Sequence, residues 1–197
     1  GQIQQELIYA NNGKTVISNA SFTYYKNTLQ SSTIKSPDGK IQSLIQYSSD
    51  GKTVSQINNY SYDSNGNLTS ISSTEANEQL LQTVSYTYSN QSINTSNTTG
   101  NAQNLLDIAV YSYNATGQLS KVTHSNATSS VVEIDNYIYS GTHLVQVSKT
   151  NASGVLLEND FYGRDGKTIT EIDSFTYSTS GNLSKEVISN GFNQIVY

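Results

Sequence analysis

A chain of 197 residues fits a single domain and is long enough to bury about 70% of the surface its unfolded form exposes. Apolar residues make up 35% of it, against a usual ~45–50%, and tyrosine alone supplies 15 positions, so rings with a polar tip must do much of the packing. A net charge of −5 with ten scattered Lys and Arg disfavours a nucleic-acid surface, the absence of Cys excludes disulfides and thiol chemistry, and no apolar run nears the ~20 residues of a membrane helix.

Ile3 to Tyr9 reads as a strand, Asn11-Asn12-Gly13 as a turn, and Thr15 to Phe22 as the strand that leaves it. Ser36-Pro37-Asp38-Gly39 is the strongest turn signal, because Pro presets the backbone of a turn's second position; it separates Leu29 to Ile34 from Ile41 to Tyr47. Tyr60 to Ser72 forms the central unit. Tyr60 and Tyr62 lie two apart, on one face of an extended chain, and Asp63-Ser64-Asn65-Gly66 supplies residues that bond their own backbone or accept positive φ. Leu68 and Ile71 then open the returning strand of a hairpin. Leu80-Leu81 and Leu105-Leu106 precede β-rich stretches, Thr83 to Tyr88 and Ile108 to Tyr113, and read as strand starts rather than helices. The polar stretch from Ser89 to Asn104 is expected to be a long loop or frayed hairpin inserted between repeats.

Tyrosine followed four residues later by glycine recurs at Tyr9, Tyr47, Tyr62, Tyr113, Tyr162 and Tyr177, with looser copies at Tyr24, Tyr88 and Tyr139. Above this period, residues 22–72 and 137–187 align without a gap at an offset of 115, keeping turn glycines and strand tyrosines in register. Such self-similarity signifies an array of stacked units. The predicted fold is all-β: one domain over residues 1–197, an antiparallel meander of repeated hairpins with about 14 strands in a curled or spiral sheet, a flat open single-layer sheet being the alternative. Leu68/Ile71, Leu119/Val122 and Leu144/Val147 are three apart, which places each pair on opposite faces unless a bulge intervenes.

Tyr60 to Leu68, YSYDSNGNL, resembles the YD repeat of the RHS family; YSYNATGQL (Tyr111 to Leu119) and FTYSTSGNL (Phe175 to Leu183) are similar, with Asn114 and Ser178 in place of the Asp. The resemblance implies hairpins coiled into β-sheet spirals or shells, a secreted or cell-surface location, and a link to carbohydrate binding. A signal segment is expected to have been removed from this chain.

The candidate chemistry is sparse. His124 and His143 lack partners at ligand spacing in the sequence, so neither is expected to hold a metal. Glu133/Asp135, Glu158/Asp160 and Glu171/Asp173 each put two carboxylates on one strand face, a pattern compatible with glycoside cleavage, but they read as solvated strand positions. Asp63 and Asp50 sit in turns whose spacing departs from a calcium-binding loop, and the Gly-Lys-Thr segments lack the second glycine of a phosphate loop. No cofactor and no metal are expected.

Tyr62, Tyr88, Tyr113, Tyr139 and Tyr177 recur at matching strand positions and are read as a cross-strand ladder, an exposed part of which is a candidate platform for glycan or a protein partner. The expected function is therefore a non-catalytic structural or binding module, with self-association through sheet edges and without membrane insertion. A glycoside hydrolase or lyase is one alternative. A fragment of a toxin-enclosing shell is the other, and it predicts pairing-competent ends at Ile3 and Tyr197.

Overall fold

The computed structural model describes residues 2–192, 194 and 195. Among them there are fifteen strands and no helix, and the strands form one open antiparallel sheet in strict chain order. The strands are β1 (Gln5–Tyr9), β2 (Val16–Tyr25), β3 (Thr28–Lys35), β4 (Ile41–Tyr47), β5 (Val54–Tyr62), β6 (Leu68–Thr74), β7 (Leu80–Ser89), β8 (Ser92–Gly100), β9 (Leu105–Tyr113), β10 (Leu119–Ser125), β11 (Val131–Ser140), β12 (His143–Asn151), β13 (Leu156–Tyr162), β14 (Ile169–Tyr177) and β15 (Leu183–Asn190). Two compact units are distinguished, one built on β1 to β7 and the other on β10 to β15, with β8 and β9 divided between them. The expected end at Tyr197 lies outside the described residues.

The strand missing from the sequence reading is β8. Ser92 to Gly100 is a full strand, entered through a two-residue turn in which Asn90 (φ 50°) and Gln91 (φ 66°) both take the left-handed region. Such a turn matches the twist of the strands it joins, and it needs no glycine here because Asn tolerates that conformation. A strand so rich in Asn, Ser and Thr gives almost no apolar alternation to read, which is why polarity alone pointed to a loop.

A register shift sits beside the turn in every strand pair from β1 to β7 and from β9 to β15. In the central hairpin Tyr62 faces Leu68 and Ser61 faces Ser70, leaving Thr69 as the extra residue; Tyr60 then faces Ile71. The bulge inverts the alternation once, so Leu68 and Ile71 both meet rings of the same face. The same correction joins Leu119 to Tyr113 and Val122 to Tyr111, and Leu144 to Tyr139 and Val147 to Tyr137. Spacing of three after a turn is thus the mark of the bulge.

Burial is shallow. Ala20, Ala109, Val122 and Val147 are the buried apolar residues among those described, and no large side chain is fully buried. Turns pack on turns in place of a deep core. A Cβ on Gly51 would stand 2.9 Å from the backbone N of Leu29, and one on Gly166, 115 residues later, 3.1 Å from the N of Leu144, whereas Gly39 meets nothing within 4 Å. All three have positive φ. Gly39→Ala is expected to cost about 1–2 kcal/mol from its left-handed backbone, and Gly51→Ala clearly more, because the backbone of Leu29 must also move. Urea unfolding of the two variants measures the difference; equal costs would show that the turn-on-turn contact carries no energy.

Candidate functional site

The turns explain most of the acidic and amide side chains. Asp63 Oδ1 accepts from the backbone N–H groups of Asn65 and Asn67, and its Oδ2 accepts from Asn67 Nδ2. Asn114 Oδ1 takes the corresponding bonds from Thr116 and Gln118, Asn126 from Thr128 and Ser130, and Asn151 from Ser153 and Val155. What the position requires is an acceptor and not a charge, so Asn114 replaces the Asp of the repeat without loss. Ser178 Oγ does part of the same work, accepting from the N–H of Asn182. In the Gly-Lys-Thr turns Asp50 Oδ1 accepts from the N–H groups of Lys52 and Thr53, and Asp165 Oδ1 from those of Lys167 and Thr168. Hydrogen bonds led by the Thr53 and Thr168 side chains bring both carboxyls down to about 2.

Three of the singled-out tyrosines act as clasps. Tyr62 donates its hydroxyl to the carbonyl of Ile41 at 2.9 Å, Tyr88 to that of Leu68 at 2.9 Å, and Tyr113 to that of Ile93 at 3.0 Å. Each ring at the end of one strand thereby reaches the start of the strand before it. The direct cross-strand partner is an aliphatic residue: Leu68 for Tyr62, Leu119 for Tyr113, Leu144 for Tyr139 and Leu183 for Tyr177. A continuous tyrosine-on-tyrosine ladder is therefore replaced by Tyr–Leu pairs with hydroxyl clasps. Pairing registers put Tyr62 and Tyr88 on one face of their unit, and Tyr113 and Tyr139 on one face of theirs. Tyr177 lies on the other face from Tyr139.

The unit built on β10 to β15 carries an ionisable band that sequence spacing alone does not reveal. Directly paired residues share a face, and three rungs cross it: Ala109–His124–Glu133, Tyr111–Val122–Asp135–Lys149–Glu158, and Tyr137–Val147–Asp160–Ile172. The aspartates of Glu133/Asp135 and Glu158/Asp160 are not solvated, contrary to expectation: their side chains are only 13% and 8% exposed, while Glu133 and Glu158 are half-buried. Lys149 Nζ bonds Glu158 and stands 3.0 Å from Asp160 Oδ2. Burial works against the charged lysine, but those two acceptors outweigh it and raise its pKa. Burial likewise pushes Asp135 and Asp160 upward, offset in part by His124 and Lys149 respectively. Tyr137, half-buried and close to Asp135, is raised to about 12.

His124 is also partnered rather than solvated. Its Nδ1 lies 3.2 Å from Asp107 Oδ2 and its Nε2 3.7 Å from Asp135 Oδ2. The partners come from β9 and β11, at separations of 17 and 11 residues that no local motif could signal. His143, at the start of β12, is exposed. Glu171 and Asp173 fall on the opposite face, paired with Phe161 and Asn159.

No protein-family model and no curated protein matches the chain. Solved structures do. A porin-like protein from Bacteroides uniformis is 11% identical with a TM-score of 0.48, over 97% of this chain and 91% of that one. The TcdB2-TccC3-Cdc42 structure is 13% identical with a TM-score of 0.27, over 97% of this chain but 12% of that one. The Photorhabdus luminescens Tc holotoxin pore is 12% identical with a TM-score of 0.22, over 98% of this chain and 15% of that one.

Two outcomes follow from the carboxyl environments. Asp50 and Asp165 are held low, so their contribution is present above the unfolded value near 4 and is lost as pH falls toward about 2. The Asp50→Asn, Asp165→Asn variant, which keeps the Oδ1 acceptor, is expected to lose less stability between pH 5 and pH 2 than the wild type in thermal melts. Asp135 is shifted the other way: its ionisation in the folded state is unfavourable, a penalty absent below about pH 4 and growing as pH rises through the raised value. Asp135→Asn in metal-free buffer is expected to raise the unfolding midpoint at pH 7 and leave it unchanged at pH 3.

Proposed function

We propose that the chain is a non-catalytic β-repeat module of the secreted or cell-surface type, serving as a scaffold segment. The observation that carries this reading is the set of clasps at matched repeat positions, where Tyr62, Tyr88 and Tyr113 spend their hydroxyls on neighbouring carbonyls. Secretion or surface display rests on the resemblance to the YD repeat. The carboxylates best placed for hydrolytic chemistry, Glu158 and Asp160, share the ammonium of Lys149; a general acid and a general base for glycoside cleavage need separate environments. The exposed edge of the sheet supports a pairing role as well, since all five residues of β1 are exposed and an open edge presents unpaired backbone groups.

Recognition of glycan is the second component, and it falls on Tyr113 and Tyr139. They share a face, and Tyr113 is 37% exposed. Tyr88→Phe, which removes one clasp and keeps the ring, is expected to cost about 0.5–1.5 kcal/mol in urea unfolding, without changing circular dichroism; no cost would remove the scaffold argument. A glycan array on the wild type and on a Tyr113→Ala, Tyr139→Ala variant tests the second component. Selective binding lost only in the variant supports it, and absence of binding by the wild type refutes it.

A further inference from the structure

We propose that His124, Glu133 and Asp135 form a binding site for a divalent transition-metal cation of the zinc class, independent of the scaffold reading above. One potential donor atom from each of the three residues lies within 4.8 Å of the other two. His124 and Glu133 are directly opposed across β10 and β11, and Asp135 follows Glu133 by two on the same face.

The imidazole is oriented for the task. An ionised Asp107 can only accept, so Nδ1, at 3.2 Å from its Oδ2, carries the proton and donates. Nε2 then presents a lone pair toward Asp135. The separation of 3.7 Å between Nε2 and Asp135 Oδ2 is too long for a hydrogen bond. It suits two atoms that share a cation at bond lengths of about 2.0–2.2 Å. A carboxylate holding the far side of a ligating histidine is the common outer-shell arrangement of such sites.

A second observation points to a ligand on its own. Asp135 Oδ1 is buried and has no hydrogen-bond partner, although its side chain is only 13% exposed. An orphaned acceptor of this kind is costly. The surrounding charge relieves it only in part. Five carboxylates share the face, those of Asp107, Glu133, Asp135, Glu158 and Asp160, and Lys149 is engaged by the last two. Lys149 also faces Asp135, but it is already shared by Glu158 and Asp160, so His124 is the cationic group nearest to Asp107 and Asp135.

The internal repeat shows that the fold does not require these charges. At the offset of 115, Lys149, Glu158 and Asp160 correspond to Ile34, Ser43 and Ile45, and the strand pairing carries the match two residues beyond the aligned segments, to Asp135 and Ala20. The pairing is reproduced residue for residue: Ala20 faces Ile34 as Asp135 faces Lys149, and Ile34 faces Ser43 as Lys149 faces Glu158. One unit builds the sheet with small and apolar groups where the other carries ionisable ones. A donor set of one imidazole nitrogen and carboxylate oxygens selects the zinc class over calcium or magnesium, which prefer oxygen alone.

The test uses the full chain, dialysed free of metal. Calorimetric titration with Zn²⁺ is expected to give saturable one-to-one binding, and excess Zn²⁺ to raise the thermal midpoint. His124→Gln should abolish both effects, and Asp107→Asn should weaken binding about 10–100-fold. Because a variant at His124 could fail to fold, Co²⁺ is added to the wild type and followed by proton NMR. The chain has two histidines, and the resonances of His124 should shift or broaden ahead of those of His143. Absence of saturable binding, unchanged binding in His124→Gln, or perturbation of His143 in preference to His124 would each overturn the proposal. So would a His124 that keeps a proton on Nε2 as well as on Nδ1 in the presence of excess Zn²⁺.

Discussion

The one-residue register shift that recurs beside the turns is the constraint on which the rest of the structure depends. A strand alternates its side chains strictly, so a hairpin whose two arms carried apolar groups at mismatched parity would bury half of them and expose the rest. The unpaired residue, Thr69 in the central hairpin, inverts that parity once and brings Tyr60 and Tyr62 over Ile71 and Leu68. The same inversion sets Val122 opposite Tyr111 and Val147 opposite Tyr137, and these valines are among the few buried apolar residues. Through those rungs it also fixes which carboxylates stand beside His124 and Lys149.

Much of the fold was legible in the residues because hairpin chemistry is local. Strands β4 and β6 begin at Ile41 and Leu68, as the turn signals before them imply. The polar strand β8 was not legible: its apolar pattern is nearly absent, and its turn uses Asn90 and Gln91 where a glycine would have announced it. The ionisable band was hidden for a different reason. His124 lies 17 residues from Asp107, and Lys149 lies 14 from Asp135. Only the pairing of separate strands brings them together, and exposure cannot be read from the spacing of two carboxylates on one strand.

The role of the turn acid illustrates how residue type and residue function come apart. The repeat motif carries Asp, yet Asn114, Asn126 and Asn151 hold the same backbone donors with an amide oxygen. Charge at this position matters for acid titration and not for turn geometry. Copies that look degenerate as sequence are therefore intact as hairpins. The reverse holds for the two copies at an offset of 115, which keep the same register while one replaces Ile34 and Ile45 with Lys149 and Asp160.

The strict chain order of the fifteen strands also bears on how the molecule comes to exist. Each strand docks only on its immediate neighbour in sequence, so no step of assembly waits for a distant segment, and loop closure never costs more than one short turn. Topologies of this kind have low contact order and form quickly for β proteins. The sheet can therefore lengthen at its growing edge while the chain is still being synthesised, each new hairpin completing on a template already in place. Duplication of a hairpin in the gene adds a rung without rearranging any other, which is how a copy at an offset of 115 residues could acquire new chemistry on an unchanged framework.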